Sequence, residues 1–376
     1  MAQHFTHKRG RIFAAVALLD ILLFSCFFIG GRIDPGSGLS KRPGRVEGYV
    51  SPQAGIFLSL HQSGRDAWGF LEWPEKGLYG FFNGSEAGRQ IRASVNSAGT
   101  SPLMILSRIR GSPRLELHFS GGKGLEGSFG MIRQAGLGLG LEIFSGRLDA
   151  DAHALSPLRE LFLPLSASRG EGSASESSFH AAAISGRAGS DEALMNLALR
   201  RGMTPLAYVR NLWEAFRERR ISLVPASRWP IEFIERQSLV SVRASVCSIA
   251  AERYVFNGGA HGNTSLLVTM IDTGTGRILK PGDIFKAGWE EKVAPMLTSE
   301  AMRLLAGTEK RKDPVPGSGL RAYGFFKDEI EPSLNIFLCE SGVGFHYDRY
   351  QLAPYSEGDF TFVIPWRELE GLLKSW

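Results

Sequence analysis

Short apolar runs separated by glycine fill the chain from residue 46 to residue 148. Several runs alternate apolar with polar or glycine positions, which is the period-2 pattern of antiparallel strands. Examples of these runs are residues 55–60, 67–73, 77–82, 114–119, 125–129 and 139–144. Their regular spacing and glycine turns predict a small β-rich domain over 46–148, built as an antiparallel barrel or meander.

The pattern changes after residue 149. Residues 166–178 are rich in serine, glycine and charge, which predicts a linker within 149–200. Residues 191–201 and 203–220 show helical character. The second helix is the stronger prediction, because Pro205 stands in its first turn and apolar residues follow at helical spacing.

Strand patterns return from Ser238 and dominate the C-terminal part. β-branched residues lead to a buried strand over 266–271, then a glycine turn and a short helical segment near 278–285. Residues 289–305 predict a helix with a kink at Pro295. The last elements are a hairpin over 334–347, a strand over 360–364 and a short helix opened by Pro365. The predicted class is α+β over residues 201–376, an antiparallel sheet packed with helices and preceded by the β-rich domain.

The first 31 residues predict export or anchoring. A basic segment over 7–11 precedes an apolar stretch over 12–31, which is long enough to cross a bilayer, although Asp20 opposes this. The alternatives are an uncleaved signal anchor, a lipoprotein signal in which Cys26 carries the lipid, and an ordinary cleaved signal peptide. All three place the body outside the cytoplasmic membrane, in the periplasm or beyond, after a flexible tether over 32–45.

The amino-acid composition limits the kinds of molecule that the protein is expected to bind. The chain has 376 residues, which suffices for two domains, and a formal net charge of +5. Its basic residues are mostly dispersed and form no stripe with aromatics, so nucleic acid is not a predicted partner. A basic exported protein favours anionic lipid headgroups or cell-wall polymers. Of the three cysteines, Cys247 and Cys339 either pair in an oxidising compartment or are buried free thiols.

The densest motif surrounds one histidine. Residues 254–263 read Tyr-Val-Phe-Asn-Gly-Gly-Ala-His-Gly-Asn, so an aromatic strand runs into a glycine turn that presents His261. The imidazole could bind a ligand, a proton or a metal. Alternatively, it fastens the turn by hydrogen bonds to the neighbouring backbone.

This order of motifs resembles a known family. The Gly-Gly-Ala-His-Gly turn, the following strand and the Asp-x-x-Thr-Gly turn over 272–276 are similar to the extracytoplasmic domain of the lysozyme-sensing anti-sigma-V receptor and of some peptidoglycan and chitin deacetylases. A second signature lies within 342–359 and consists of a tyrosine, two further residues, Ala-Pro-Tyr and then a glycine. The strand and short helix over 360–369 complete the resemblance, which covers roughly residues 205–376. It implies an extracytoplasmic location near cell-wall glycans or secreted lysozyme.

Two functions follow from these patterns. The favoured one is a non-catalytic envelope module that binds a cell-wall glycan or a secreted protein, since no catalytic, nucleotide or metal-ligand motif stands out and no cofactor is predicted. Aromatic faces and amides suit such ligands, and the candidate contacts are Asn257, His261, Asn263, Tyr347, Tyr350 and Tyr355. The alternative is a hydrolase or deacetylase of envelope polymers, in which His261 acts with Asp272 or Asp283.

Overall fold

The computed structural model describes residues 45–63, 65–97, 101–120, 125–134, 140–149, 176–185, 232–256, 260–306 and 319–375. The predicted anchor or signal with Cys26, the tether up to residue 44, and the predicted helices 191–201 and 203–220 lie outside these residues. In the part of the chain that the structure describes, no helix has the length and apolar character needed to cross a bilayer. The predicted domain boundaries stay predictions.

The N-terminal part is a closed barrel of eight antiparallel strands, each paired with the next. The strands are β1 (Arg45–Ser51), β2 (Ile56–Ser63), β3 (Asp66–Trp73), β4 (Leu78–Ala87), β5 (Gln90–Asn96), β6 (Leu103–Arg108), β7 (Leu115–Ser120) and β8 (Gly127–Arg133). The barrel closes where Tyr49 of β1 pairs with Arg133 of β8. This confirms the predicted antiparallel β-rich architecture and shows that, of its two alternatives, the chain forms the barrel.

The barrel interior is filled by side chains. Alternate residues of each strand point inward and form an apolar core, for example Leu58, Leu60, Leu106 and Leu117, each at most 3 % exposed. Toward one end of the barrel the inward positions include charged side chains. There the carboxylate of Glu47 is 3.4 Å from the guanidinium of Arg133.

The remaining strands form two further sheets. One has the order β14-β13-β12-β11-β10-β9 and the other the order β15-β16-β17. Their strands are β9 (Gly140–Asp149), β10 (Glu176–Ser185), β11 (Glu232–Arg243), β12 (Val246–Phe256), β13 (Asn263–Asp272), β14 (Ile278–Leu279), β15 (Ile336–Leu338), β16 (Gly342–Tyr347) and β17 (Phe360–Pro365). Strand β10 lies where the sequence predicts a linker, and it pairs in parallel with β11.

Helical structure is limited. The helices among the described residues are α1 (Pro281–Ile284) and α2 (Trp289–Ala306), with 3₁₀ turns at Pro74–Lys76, Leu320–Tyr323, Tyr355–Glu357 and Trp366–Glu368. The helix predicted over 289–305 is confirmed, as are the strands around 266–271, 334–347 and 360–364. The fold is mostly β, so the predicted α+β class holds only in part.

Helix α2 covers the three-stranded sheet. Its apolar positions recur every three to four residues, and Val293, Leu297 and Ala301 are fully buried in one core with Phe345 of β16. Phe285 stacks on Trp289 with ring centroids 4.4 Å apart. Each buried side chain of the size of valine, leucine or phenylalanine contributes about 1.5–3 kcal/mol of transfer free energy.

The outer face of the barrel packs against the C-terminal sheets. Phe70 and Phe81 from the barrel lie against Phe337 of β15, with ring centroids 5.2 and 6.0 Å away. These rings belong to a buried cluster that also contains Val240 of β11 and Val363 of β17. The barrel and the sheets therefore share a continuous apolar interface.

Polar groups of the barrel replace a missing strand beside β11. Pairing between β10 and β11 ends at Arg236, which leaves the next backbone groups of β11 without a strand neighbour on that side. The Leu239 N–H donates to His61 Nε2 at 2.8 Å, and the Leu239 carbonyl accepts from the Ser59 hydroxyl. Trp68 Nε1 donates to the Gln237 carbonyl at 2.9 Å. Buried backbone groups that lack a strand partner are thus satisfied by side chains.

A buried carboxylate holds the β15–β16 hairpin to the barrel. Glu72 of β3 is 2 % exposed. It accepts hydrogen bonds from the backbone N–H of Glu340 and of Ser341, both at 3.1 Å, and from the Ser341 hydroxyl at 2.8 Å. Burial raises the pKa of Glu72, and these donors oppose the rise because they stabilise the ionised form.

Candidate functional site

Side chains from the C-terminal loops cap the outer edge of β13. This strand pairs with β14 only at Met270 and Ile271. Farther along, the Asn335 amide donates to the Leu266 carbonyl at 2.5 Å and accepts from the Val268 N–H at 2.8 Å. Asp348 accepts from the Leu266 N–H at 2.9 Å. These bonds bring the loop after β16 to the end of β13 where the histidine turn lies.

The His261 turn is joined to this loop by an aromatic pair. The exposed His261 ring stacks on Tyr355, with ring centroids 3.7 Å apart and 21° between the planes. Both residues also reach one carbonyl: Tyr355 donates its hydroxyl to Gly262 O at 2.5 Å, and His261 Nδ1 lies 3.1 Å from the same oxygen. A carbonyl only accepts, so Nδ1 carries the proton and Nε2 of the neutral ring is left as an acceptor.

The turn depends on the absence of a side chain at Gly262. A Cβ atom built there would lie 2.3 Å from two carbons of the Tyr254 ring. Tyr254 lies on β12 and pairs with Thr264 of β13, so the ring is held over the turn by the sheet. The glycine of the motif therefore serves close packing between ring and backbone.

We expect Gly262→Ala to destabilise the turn. The added methyl group must displace the Tyr254 ring or the backbone, and overpacking of this kind costs about 1–3 kcal/mol. Thermal unfolding of the full chain should show a lower Tm. Gly282→Ala is the matched control, since a Cβ there meets nothing within 4 Å. Equal melting temperatures for the two variants would contradict this packing role.

Tyr350 projects from the same loop in a strained conformation. Its φ is +68°, a region that non-glycine residues rarely adopt, and its side chain is 57 % exposed. The turn is closed by Gln351 N donating to Asp348 O at 3.1 Å and by Asp348 N donating to Gln351 Oε1 at 2.9 Å. The Tyr350 ring centroid is 5.7 Å from that of Tyr355.

Arg349 completes the group. Its guanidinium lies over the Tyr355 ring at 4.5 Å from the centroid, which is cation–π geometry. Asp359 lies 3.6 Å from Arg349 Nε and holds the guanidinium in place. His261, Arg349, Tyr350 and Tyr355 are called the aromatic patch below.

The other three predicted contact residues, Asn257, Asn263 and Tyr347, differ in their positions. Asn263 is exposed at the start of β13, two residues from His261, and Asn257 lies outside the described residues. Tyr347 does not reach the surface, because its side chain is buried and its hydroxyl donates to Glu331 O at 2.9 Å and accepts from Ser333 N at 3.1 Å. Burial raises its pKa. Tyr347 is therefore a core residue.

The two C-terminal cysteines are free and buried. The Cys339 thiol lies 3.4 Å from Gly342 O, within the β15–β16 hairpin. Burial raises the pKa of Cys339, and it raises that of Cys247 to about 12, so neither thiol is reactive at neutral pH. The predicted disulfide is not formed in this structure.

A second histidine is structural. His346 is 1 % exposed, with Nδ1 at 3.0 Å from Thr361 Oγ1 and Nε2 at 3.2 Å from Asp348 Oδ1. Because Asp348 also accepts from Leu266, His346 orients the carboxylate that fastens the β13 edge.

The geometry places the carboxylates of the hydrolase hypothesis far from His261. Nine residue steps along β13 separate Asn263 from Asp272, roughly 30 Å at the rise of a strand. Asp272 caps its own turn through the Thr275 N–H at 2.7 Å. Asp283 pairs with Arg277 at 2.9 Å. Among the residues whose positions are described, no three histidine, cysteine or acidic side chains gather as a metal site requires.

A groove of about 450 Å³ lies between α2 and the end of β17. Lys292, Met296, Arg303 and Glu368 are among its lining residues. Inside it, Arg303 forms two bonds to the Glu300 carboxylate at 2.6 and 2.7 Å. Arg303 and Glu300 therefore neutralise each other within the groove.

Sequence reasoning missed Asn335, Asp348 and Arg349 as parts of the site. Asp348 and Arg349 lie inside the second signature over 342–359, which was the available signal. Asn335 adjoins a strand pattern, and the sequence contains no sign that its amide spans the β13 backbone.

Comparison with known proteins supports the C-terminal part as a family domain. Residues 282–367 match the family described as "Protein of unknown function (DUF3298)". This segment contains Arg349, Tyr350 and Tyr355, whereas His261 precedes it. The comparison with curated proteins gives no match. The resemblance to the anti-sigma-V receptor and the deacetylases stays a hypothesis.

Two solved structures are similar to the chain. A member of the DUF3298 family from Bacteroides fragilis NCTC 9343 is 18 % identical, with a TM-score of 0.48, and the match covers 63 % of this chain and 94 % of that one. A DUF3298 family protein from Pseudomonas aeruginosa PAO1 is 16 % identical, with a TM-score of 0.43 and coverages of 64 % and 97 %.

Proposed function

We propose that the chain is a membrane-anchored, extracytoplasmic module of the cell envelope that binds a cell-wall glycan through the aromatic patch, without catalysis. The basic and apolar segments over 7–31 support the location, as does the resemblance to extracytoplasmic domains. The observation that carries the binding role is Tyr350, a largely exposed aromatic ring held at positive φ beside a second tyrosine.

The strain at Tyr350 favours a functional role over a packing role. A bulky residue at positive φ costs on the order of 1–3 kcal/mol, and such strain tends to persist at binding sites. No comparable gain from burial offsets it, because more than half of the Tyr350 side chain faces solvent.

The patch has the groups that a sugar chain needs. The apolar faces of pyranose rings pack on aromatic rings, and Tyr350 offers such a face. The side chains of Arg349, His261 and Asn263 supply donors and acceptors around it for hydroxyl and amide groups of a glycan. Tyr355 is rigid, because its hydroxyl is bonded to Gly262 and its ring is covered by His261.

We expect Tyr350→Ala to weaken glycan binding about five- to thirtyfold, since one aromatic contact in a small site contributes on the order of 1–2 kcal/mol. The measurement is retention of the purified full chain on insoluble peptidoglycan. In Tyr350→Ala the backbone is still strained at positive φ. Tyr350→Gly therefore serves as a second variant, because it removes the ring and also relieves the strain. Ile278→Ala is the control, because this exposed apolar residue lies near the far end of β13.

Equal retention of the Tyr350 variants and the Ile278 control would contradict binding through the patch. A second experiment measures retention of the same variants on immobilised lysozyme. Capture by lysozyme that depends on Tyr350, with no retention on peptidoglycan, would make the ligand a secreted protein instead of a glycan.

A further inference from the structure

The barrel has one end that is rich in arginine. In an up-and-down barrel alternate turns share an end, so the β2–β3, β4–β5 and β6–β7 turns lie together. These turns contribute Arg65, Arg89, Arg110 and Arg114, and by sequence they contain no aspartate or glutamate. The nearest acidic residue in sequence is Asp66, the first residue of β3, so four arginines face one adjoining carboxylate. These four residues, from three separate hairpins, are called the arginine end.

The opposite end differs in charge and in surroundings. By sequence its turns, at 52–55, 74–77, 97–102 and 121–126, contain two lysines and two glutamates. It is also partly covered, since a Cβ on Gly77 would lie 2.2 Å from the Leu304 side chain of α2. The excess positive charge is therefore confined to the end that carries the other turns.

The charges of the arginine end are available to a ligand. All four arginines are exposed, and within the described residues no carboxylate pairs with any of them. Arg108, just inside the same end, is by contrast held by Glu86 at 3.3 Å. Next to it Ile109 is 45 % exposed at the start of the β6–β7 turn, where its N–H donates to Arg114 O at 3.4 Å.

The chain enters the barrel at this end. Strand β1 begins at Arg45, which pairs with Gln62 beside the β2–β3 turn. The 14 residues from Arg32 to Arg45 can span at most about 50 Å, so an apolar segment over 12–31 in a bilayer keeps this end near the membrane.

We propose that the arginine end docks on the phosphate groups of an anionic bilayer and that Ile109 enters its interfacial region. The proposal rests on the membrane anchoring in the proposed function and does not depend on the glycan. Guanidinium groups bind phosphate through paired hydrogen bonds, and basic residues are attracted to an anionic surface within a Debye length. Docking would hold the barrel against the membrane and direct the C-terminal sheets away from it.

The test measures hydrogen–deuterium exchange in the full chain reconstituted into lipid nanodiscs. In discs that contain 40 % phosphatidylglycerol, amides of the turn 109–114 should exchange at least about fivefold more slowly than in pure phosphatidylcholine, the factor expected from one arginine near the surface. Raising the salt to 0.5 M should remove most of the protection, because the Debye length shortens to a few ångströms.

Charge reversal provides the matched control. Arg110→Glu/Arg114→Glu should abolish the protection, whereas Lys76→Glu/Lys292→Glu, with the same change in net charge away from this end, should keep it. Equal exchange in the two lipids, or equal behaviour of the two variants, would overturn the docking surface alone. Failure of the chain to incorporate into nanodiscs would overturn the anchor and the surface together. If soluble polyphosphate protected the amides of the turn 109–114 equally well in neutral discs, the ligand of the arginine end would be a soluble polyanion and not the bilayer.

Discussion

Replacing Glu72 with alanine is expected to lower the free energy of unfolding by about 3–5 kcal/mol, because it leaves several buried or half-buried donors without an acceptor. The carboxylate accepts from the backbone N–H of Glu340 and of Ser341 and from the Ser341 hydroxyl, so the substitution removes the acceptor of three hydrogen bonds at once. Urea unfolding of the full chain followed by tryptophan fluorescence measures the loss.

Glu72→Gln is the second variant to compare with Glu72→Ala. The amide keeps the size and one acceptor oxygen, so we expect roughly half of the loss seen with alanine. Glu75→Ala, on the exposed Pro74–Lys76 turn, is the surface control and should change stability by less than about 0.5 kcal/mol. A Glu72→Ala variant as stable as this control would show that the hairpin does not depend on the carboxylate.

His61 is expected to make the protein sensitive to acid. Its Nε2 accepts from the Leu239 N–H, which requires an unprotonated nitrogen, and burial lowers its pKa from 6.5 to about 3. The unfolded chain therefore binds a proton below pH 6.5 that the folded chain does not bind until about pH 3. Stability from the neutral imidazole is fully present above pH 6.5 and is lost as the pH falls toward 3. At about 1.4 kcal/mol per pH unit, the total loss is roughly 4–5 kcal/mol.

The measurement compares urea unfolding of wild type and His61→Gln from pH 7 to pH 3. Glutamine can accept from Leu239 but does not titrate, so the variant should be less stable at pH 7 and lose less stability on acidification. Subtracting the two curves cancels Glu72 and the other carboxylates, which both proteins share. Parallel curves over the whole range would contradict the role assigned to His61.

Part of the candidate site was predictable from local sequence. The glycine turn around His261 and the Ala-Pro-Tyr signature each mark a short segment with unusual backbone needs, and the structure joins the two through His261 and Tyr355. The sequence did not distinguish Tyr347 from Tyr350. Tyr347 lies on β16 and is buried, whereas Tyr350 lies three residues later in a turn at positive φ and is exposed.

The sequence by itself predicted the barrel strands β2, β3, β4, β7 and β8, several C-terminal strands and helix α2, because period-2 and period-3.6 patterns are local consequences of which face is buried. Only the tertiary structure decided what happens at the sheet edges. Asn335 caps β13, and Ser59, His61 and Trp68 complete β11, across sequence separations of 67 to 180 residues. Backbone groups at an edge must find partners, but the chain does not state which distant side chain will supply them. The arginine end also depends on the tertiary structure. Its four residues come from three hairpins, and only the closed barrel brings these hairpins to one end.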